Sequence, residues 1–152
     1  MCETVMRYIL LFIGFCLCAC DPCQNLDCAT DDYDGQFRFV RAATGNDLLF
    51  GPTAEYTPSD IRFFTQNGTD TTFFNSQAIY APGNGYDSVL QVQFLPDTDT
   101  AYLQVGTGAV DTLHLQFKTT ASRCCGTITE ITNFRLNNSV DLPGKGTQVI
   151  NK

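Results

Sequence analysis

The chain has no tryptophan, a single histidine (His114), and only 9 Lys and Arg residues against 16 acidic ones. Each shortage excludes something. A formal charge of −7, with no cluster of Lys or Arg, rules out a nucleic-acid binder, which needs a basic face to neutralise phosphates. One histidine leaves no metal triad, and no Gly-x-Ser-x-Gly elbow presents a nucleophilic serine. A Gly-x-Gly-x-x-Gly turn and a phosphate loop are missing too. No His or Lys stands beside the cysteines to make a reactive thiolate, so they read as structural. No window after residue 20 sustains a 3.6-residue apolar period, which excludes long helices. The inventory points to a non-enzymatic protein that takes no cofactor and no metal.

What is present starts at the N-terminus, "MCETVMRYILLFIGFCLCAC". Arg7 precedes an apolar run from Tyr8 to about Leu17, and small residues follow. That is the layout of a secretory signal, and the run is shorter than the ~20 apolar residues of a membrane-spanning helix. Its end, Leu17-Cys18-Ala19-Cys20, resembles the lipobox of bacterial lipoproteins, in which a small residue precedes a lipidated cysteine. The resemblance covers the first 20 residues only. It implies that Cys20 is diacylated on sulfur, becomes the first mature residue after cleavage, and is often acylated again on its new amino group. Two or three acyl chains anchor a protein stably, whereas one binds marginally. Cys18 departs from the pattern, since Ala, Ser or a small β-branched residue is commoner there. Cys16, Cys18 and Cys23 follow Phe15, Leu17 and Pro22 and fit less well as the lipidated position.

Cysteine arithmetic agrees with that reading. Of the 8 cysteines, residues 1–19 take three and lipidation takes Cys20, leaving Cys23, Cys28, Cys124 and Cys125. An even number in an oxidising compartment suggests two disulfides. Neighbouring cysteines seldom bond each other without strain, so Cys23 and Cys28 are each expected to pair with one of Cys124 and Cys125. Which goes with which stays open. A four-Cys zinc site is the rival, but an adjacent Cys-Cys pair makes a poor metal knuckle.

The expected organisation is a signal peptide over 1–19, a lipidated Cys20 with an acidic tether over 20–35, and a folded domain over 36–152. Asp31, Asp32, Asp34 and Gly35 could be taken for a calcium loop, but they lack the register and distal Glu of one, and a solvated linker is the reading adopted. Acidic residues behind a lipidated cysteine, here Asp21 and the run 31–34, loosely resemble lipoprotein sorting signals. The expected location is the bacterial cell envelope, at the outer membrane or cell surface in preference to the inner membrane.

From Gln36 onward the pattern is β. Phe37 and Phe39 alternate with Arg38; Leu90, Val92 and Phe94 with Gln91 and Gln93; Leu113, Leu115 and Phe117 with His114, Gln116 and Lys118. Shorter apolar runs lie at 61–64, 71–74, 78–80, 101–105, 126–131 and 132–136, divided by Gly, Pro, Asn and Asp turn signals. Thr57-Pro58-Ser59-Asp60 can open a single helical turn. Eight to nine short strands predict an all-β antiparallel sandwich of immunoglobulin-like type. Its core would hold Phe37, Phe39, Leu90, Val92, Phe94, Leu103, Leu113, Leu115 and Phe117. A small lipocalin-like barrel is the alternative, disfavoured by uneven strands and by a polar, Gly-rich tail from Asn137 to Lys152.

Candidate sites are sparse. His114 lies on the polar side of its strand and reads as solvated. Asp97 and Asp99 share one turn and cannot flank a glycosidic bond, which needs carboxylates ~5–9 Å apart across a cleft. Asn84, Tyr86 and Asp87 offer a ring beside an amide and a carboxylate, a possible ligand contact. The doublets Phe63-Phe64 and Phe73-Phe74 break alternation, so one ring of each can face away from the core; they read as a sandwich edge covered by a loop, with an exposed apolar patch for a partner as the alternative. The expectation is a membrane-anchored envelope lipoprotein acting as an interaction or accessory module with a protein or glycan partner. A small-ligand or glycan-binding lipoprotein, or a small envelope enzyme, is the alternative.

Overall fold

The computed structural model describes Cys23 and residues 27–80 and 88–152. The leader, Cys20 and the trio Asn84, Tyr86 and Asp87 lie outside the described residues. Ten strands form, β1 Asp34–Val40, β2 Ile61–Asn67, β3 Asp70–Phe73, β4 Asn75–Ile79, β5 Val89–Gln93, β6 Thr100–Val105, β7 Val110–Ser122, β8 Gly126–Leu136, β9 Val140–Pro143 and β10 Thr147–Asn151. They make a four-stranded sheet ordered β10-β1-β5-β4 and a six-stranded sheet ordered β3-β2-β6-β7-β8-β9. The two sheets pack as a sandwich and do not close into a barrel. The sole helical element among the described residues is a 3₁₀ turn, Pro58–Asp60. Thr57 N–H donates to the Asp60 carboxylate at 2.7 Å, and Asp60 N–H returns to the Thr57 carbonyl at 2.9 Å.

The core is where the alternation put it. Phe37, Phe39, Leu90, Val92, Phe94, Leu103, Leu113 and Leu115 are all buried between the sheets. Phe37 stands at the centre, with ring centroids 4.9 Å from Phe63 and 5.4 Å from Phe134. Aromatic pairs of this kind add about 0.5–1.5 kcal/mol to plain burial. Phe117 departs from the expectation. It is only partly buried, packs against the rim of the core beyond the last β6 pairing, and meets Tyr33 edge-on at 6.1 Å.

Three features correct the sequence reading. The runs 126–131 and 132–136 are one strand, β8, interrupted by a bulge. Gln116 faces Asn133 and Phe117 faces Ile131, so Thr132 is the unmatched residue. An extra residue shifts the phase of alternation, which is why one strand looks like two. The tail beyond Asn137 also belongs to the sheets. Asn137 and Asn138, both with positive φ (49° and 58°), turn β8 tightly into β9. β10 then runs parallel to β1, with Gln148 and Ile150 buried. The sheet containing β1 is therefore mixed, although every other pairing is antiparallel.

The phenylalanine doublets have different explanations. Between β3 and β4 only Phe74 intervenes, and there the chain crosses from the edge of one sheet to the edge of the other. Phe74 turns into the core, and Phe73 is left 60% exposed on the outer face. Phe63 points inward, while Phe64 is buried on the outer face beneath Phe73 and Tyr102, at 5.8 and 5.5 Å. Among the described residues no loop covers Phe73.

Candidate functional site

Two structural features extend beyond a plain sandwich. The first is a stem. β6 pairs with β7 only as far as His114, and β9 pairs with β8 only as far as Asn133. Beyond that, Phe117–Ser122 and Gly126–Ile131 pair with no other named strand; Phe117 and Ile131 still pack on the core, and from Lys118 to Ser122 the β7–β8 hairpin projects about 15 Å past it at ~3.3 Å per residue. The segment that precedes β1 is fastened along this hairpin. Asp32 bridges Glu130 in parallel register. Asp32 N–H donates to the Thr129 carbonyl (2.9 Å), and Ile131 N–H donates to the Asp32 carbonyl (3.1 Å). Asp31 accepts from Thr129 N–H at 2.7 Å. At the tip, Cys23 is bonded to Cys124 and Cys28 to Cys125.

The expected disulfides are thus present, and the open question of their pairing is closed. The acidic run is likewise placed. β1 begins at Asp34, inside the stretch read as tether; the Asp31 carboxylate and the Asp32 backbone bond to β8, and Asp32 Oδ1 accepts from Asp34 N–H at 3.2 Å. Among the described residues no group of His, Cys, Asp and Glu has the arrangement of a metal site. Lys145 pairs with Glu130 at 2.5 Å, and that ammonium holds the Glu130 carboxyl below the usual carboxylate range.

The second feature is the outer face of the four-stranded sheet. Register sets its side chains in rows. Asp34 lies opposite Gln93, which lies opposite Asn75; Gln36 lies opposite Gln91, which lies opposite Gln77. Five carboxamides and one carboxylate therefore form a grid two rows deep across β1, β5 and β4. Part of it lines an open depression of about 350 Å³, bounded by Asp34, Asn75, Ser76, Gln77, Gln91 and Gln93. Gln91 Nε2 donates to Asp34 Oδ2 at 2.7 Å, which fixes both half-buried side chains. The carboxamides of Gln36, Asn75, Gln77 and Gln93 are exposed and make no side-chain hydrogen bond among the described residues.

Other positions singled out by the sequence take structural roles. His114 is half-buried, with Nδ1 3.1 Å from Thr100 Oγ1. Asp97 has φ 66° in the turn between β5 and β6, and the Asp99 carbonyl accepts from Leu115 N–H. The amide grid was not read from the sequence, although the signal is there. Gln36, Asn75, Gln77, Gln91 and Gln93 occupy polar positions of period-two patterns, but strand order and register are needed to put them side by side.

No protein-family model, curated protein or solved structure matches the chain.

Proposed function

We propose that this chain is a non-enzymatic binding module of the bacterial envelope, anchored through lipid on Cys20 and carried on a disulfide-clamped stem. The observation that carries the reading is the pair of disulfides joining the first residues behind Cys20 to the tip of the β7–β8 hairpin. Two disulfides are durable in an oxidising compartment outside the cytoplasm, in keeping with an exported chain. Cys23 is three residues from Cys20 and its Cα lies 5.2 Å from that of Cys124, so the hairpin tip stays within about 16 Å of the anchor at ~3.3–3.6 Å per residue. A clamped tip so close to the bilayer gives the sandwich a fixed bearing on the membrane. Arg123 and Lys118 are exposed along the stem, where each adds about 1 kcal/mol of attraction to anionic headgroups. The membrane is then the first partner, and the exposed sheet faces are left for the second.

The test is the intact mass of the full chain extracted from membranes, before and after reduction with thiol alkylation. Residues 20–152 plus acyl chains, with four alkylatable thiols appearing only on reduction, is the expected result. An uncleaved or unlipidated mass overturns the anchor, and thiols free before reduction overturn the clamp.

A further inference from the structure

We infer that the amide grid on β1, β5 and β4 binds an uncharged, hydroxyl-rich chain, a neutral oligosaccharide lying across the strands. This names a ligand class for the module proposed above and rests on that reading for its biological role, though not for the binding itself.

The argument starts from what the side chains can exchange. Each carboxamide offers two N–H donors and a carbonyl with two acceptor sites, and a sugar hydroxyl both donates and accepts. Five carboxamides in register therefore match a row of hydroxyls without needing charge on either side. The grid also discriminates by sign. Its one ionised member is Asp34, held in place by Gln91 at 2.7 Å. The nearest cation on this face of β1 is Arg38, whose Nε is engaged by Asp47 Oδ2 at 2.7 Å. With no unengaged cation in the lining and a chain charge of −7, anionic sugars and phosphates are disfavoured.

Geometry fits the same occupant. Neighbouring strands lie about 4.8 Å apart and alternate residues along a strand about 6.6 Å apart, so the grid offers hydrogen-bonding groups at roughly the repeat of a hexose ring. The depression of about 350 Å³ is at the small end of ligand sites and suits one or two rings, the rest of the chain running over the open surface. Beside the Gln77–Gln91 row, Ile79 is 40% exposed and supplies apolar contact for the C–H side of a ring. Among the described residues no aromatic side chain lines the depression, so affinity is modest, with Kd on the order of 0.1–1 mM for a single site.

The experiment titrates the detergent-extracted full chain with linear hexamers of β-1,4-linked glucose, β-1,4-linked mannose and α-1,4-linked glucose, and with a galacturonate hexamer as the anionic counterpart. At least one neutral hexamer binds and the galacturonate does not. Gln77→Ala and Gln91→Ala each weaken binding about tenfold, the worth of one or two hydrogen bonds. Gln66→Ala, on the outer side of β2 in the other sheet, leaves it unchanged. In the unaltered protein the side-chain amide resonances of Gln77, Gln91 and Gln93 shift on titration, a readout that needs no variant. The inference is overturned by failure of all three neutral hexamers, by equal binding of galacturonate, by affinity insensitive to Gln77 and Gln91, or by a grid that proves to be covered by a second copy of the chain. Acylation of Cys20 does not enter any of these readouts, so the anchor and the ligand stand or fall separately.

Discussion

Cys28 is bonded to Cys125 across 97 residues of chain, while Cys23, five residues earlier, is bonded to the adjoining Cys124. Two bridges with neighbouring ends are one clasp in topological terms. Once either is closed, the other closes a loop of only a few residues. The stem is held by this clasp and by three hydrogen bonds to Asp31 and Asp32, and it buries little. Ile131 is buried at its base, and from Ile128 to the tip no residue is fully buried.

The first prediction concerns additivity. By the chain-entropy relation, closing a loop near 100 residues is worth about 4.7 kcal/mol, and closing the few-residue loop that remains is worth about 2 kcal/mol. Replacing Cys28 and Cys125 with Ser, leaving the other bridge, therefore costs about 2 kcal/mol. Replacing all four cysteines costs up to about 7 kcal/mol, well beyond twice the single loss. Urea midpoints of the two variants measure this, and equal losses from each bridge summing to the total would refute the single-clasp account.

Two glycines are fixed by neighbours. A Cβ on Gly35 would lie 2.7 Å from the Phe37 ring and 3.0 Å from the Phe134 ring. A Cβ on Gly144 would lie 2.3 Å from the Ile131 carbonyl oxygen, which is backbone and cannot swing aside. Gly35→Ala is expected to cost about 1–3 kcal/mol through displaced rings. Gly144→Ala costs more, because the link between β9 and β10 has to lift off β8. A smaller loss at Gly144 than at Gly35, read from denaturant midpoints, would contradict this ranking.

Much of the fold was legible because burial on one face writes itself into alternation. Phe37, Phe39, Leu90, Val92, Phe94, Leu113 and Leu115 all declared themselves in that way. What failed to show had physical causes. Thr132 breaks the phase of β8, so a single strand reads as two. β10 presents only Gln148 and Ile150 to the core, and its partner β1 is more than 100 residues away, beyond any local pattern. Leu48, Leu49 and Phe50 are buried from a loop, held down by Asp47, which accepts the N–H groups of Leu49 and Phe50 at 2.8 Å. The amide grid is a property of register, and register is invisible within any one strand. The cysteines, by contrast, announced bridges between Cys23 or Cys28 and Cys124 or Cys125 once the first four were set aside on the lipobox resemblance, and only the pairing was left open.

Acid should loosen the chain in a defined direction. Glu130 titrates below its ordinary value of 4.5, chiefly through its hydrogen bond with Lys145, and Asp141 below 3.8 through Arg135. A carboxyl depressed on folding means that the unfolded chain binds more protons in that window. Its stabilisation is therefore complete above the unfolded value and disappears as pH falls through the folded one. Both pairs are solvent-exposed, so the effect is small. Glu130→Gln should flatten the dependence of stability on pH below about 4.5 while leaving it unchanged near neutrality, as denaturant midpoints at a series of pH values will show. A steeper acid dependence in the variant would reverse the sign argued here.

The last prediction asks what keeps the stem together. Its backbone bonds, Asp32 N–H to Thr129 and Ile131 N–H to Asp32, lie at the edge of an arm with almost no core, where local opening is cheap. If the clasp supplies the order, reduction under native conditions should speed hydrogen exchange at Asp32, Thr129 and Ile131. The amides of Phe37 and Phe39, in the middle of the four-stranded sheet, should keep their protection. Exchange followed residue by residue by NMR, before and after reduction, separates the two regions. Faster exchange confined to the stem would establish it as a unit that the two disulfides hold in place. Unchanged exchange would mean that the Asp31 and Asp32 hydrogen bonds suffice, leaving the disulfides to resist rarer, global unfolding.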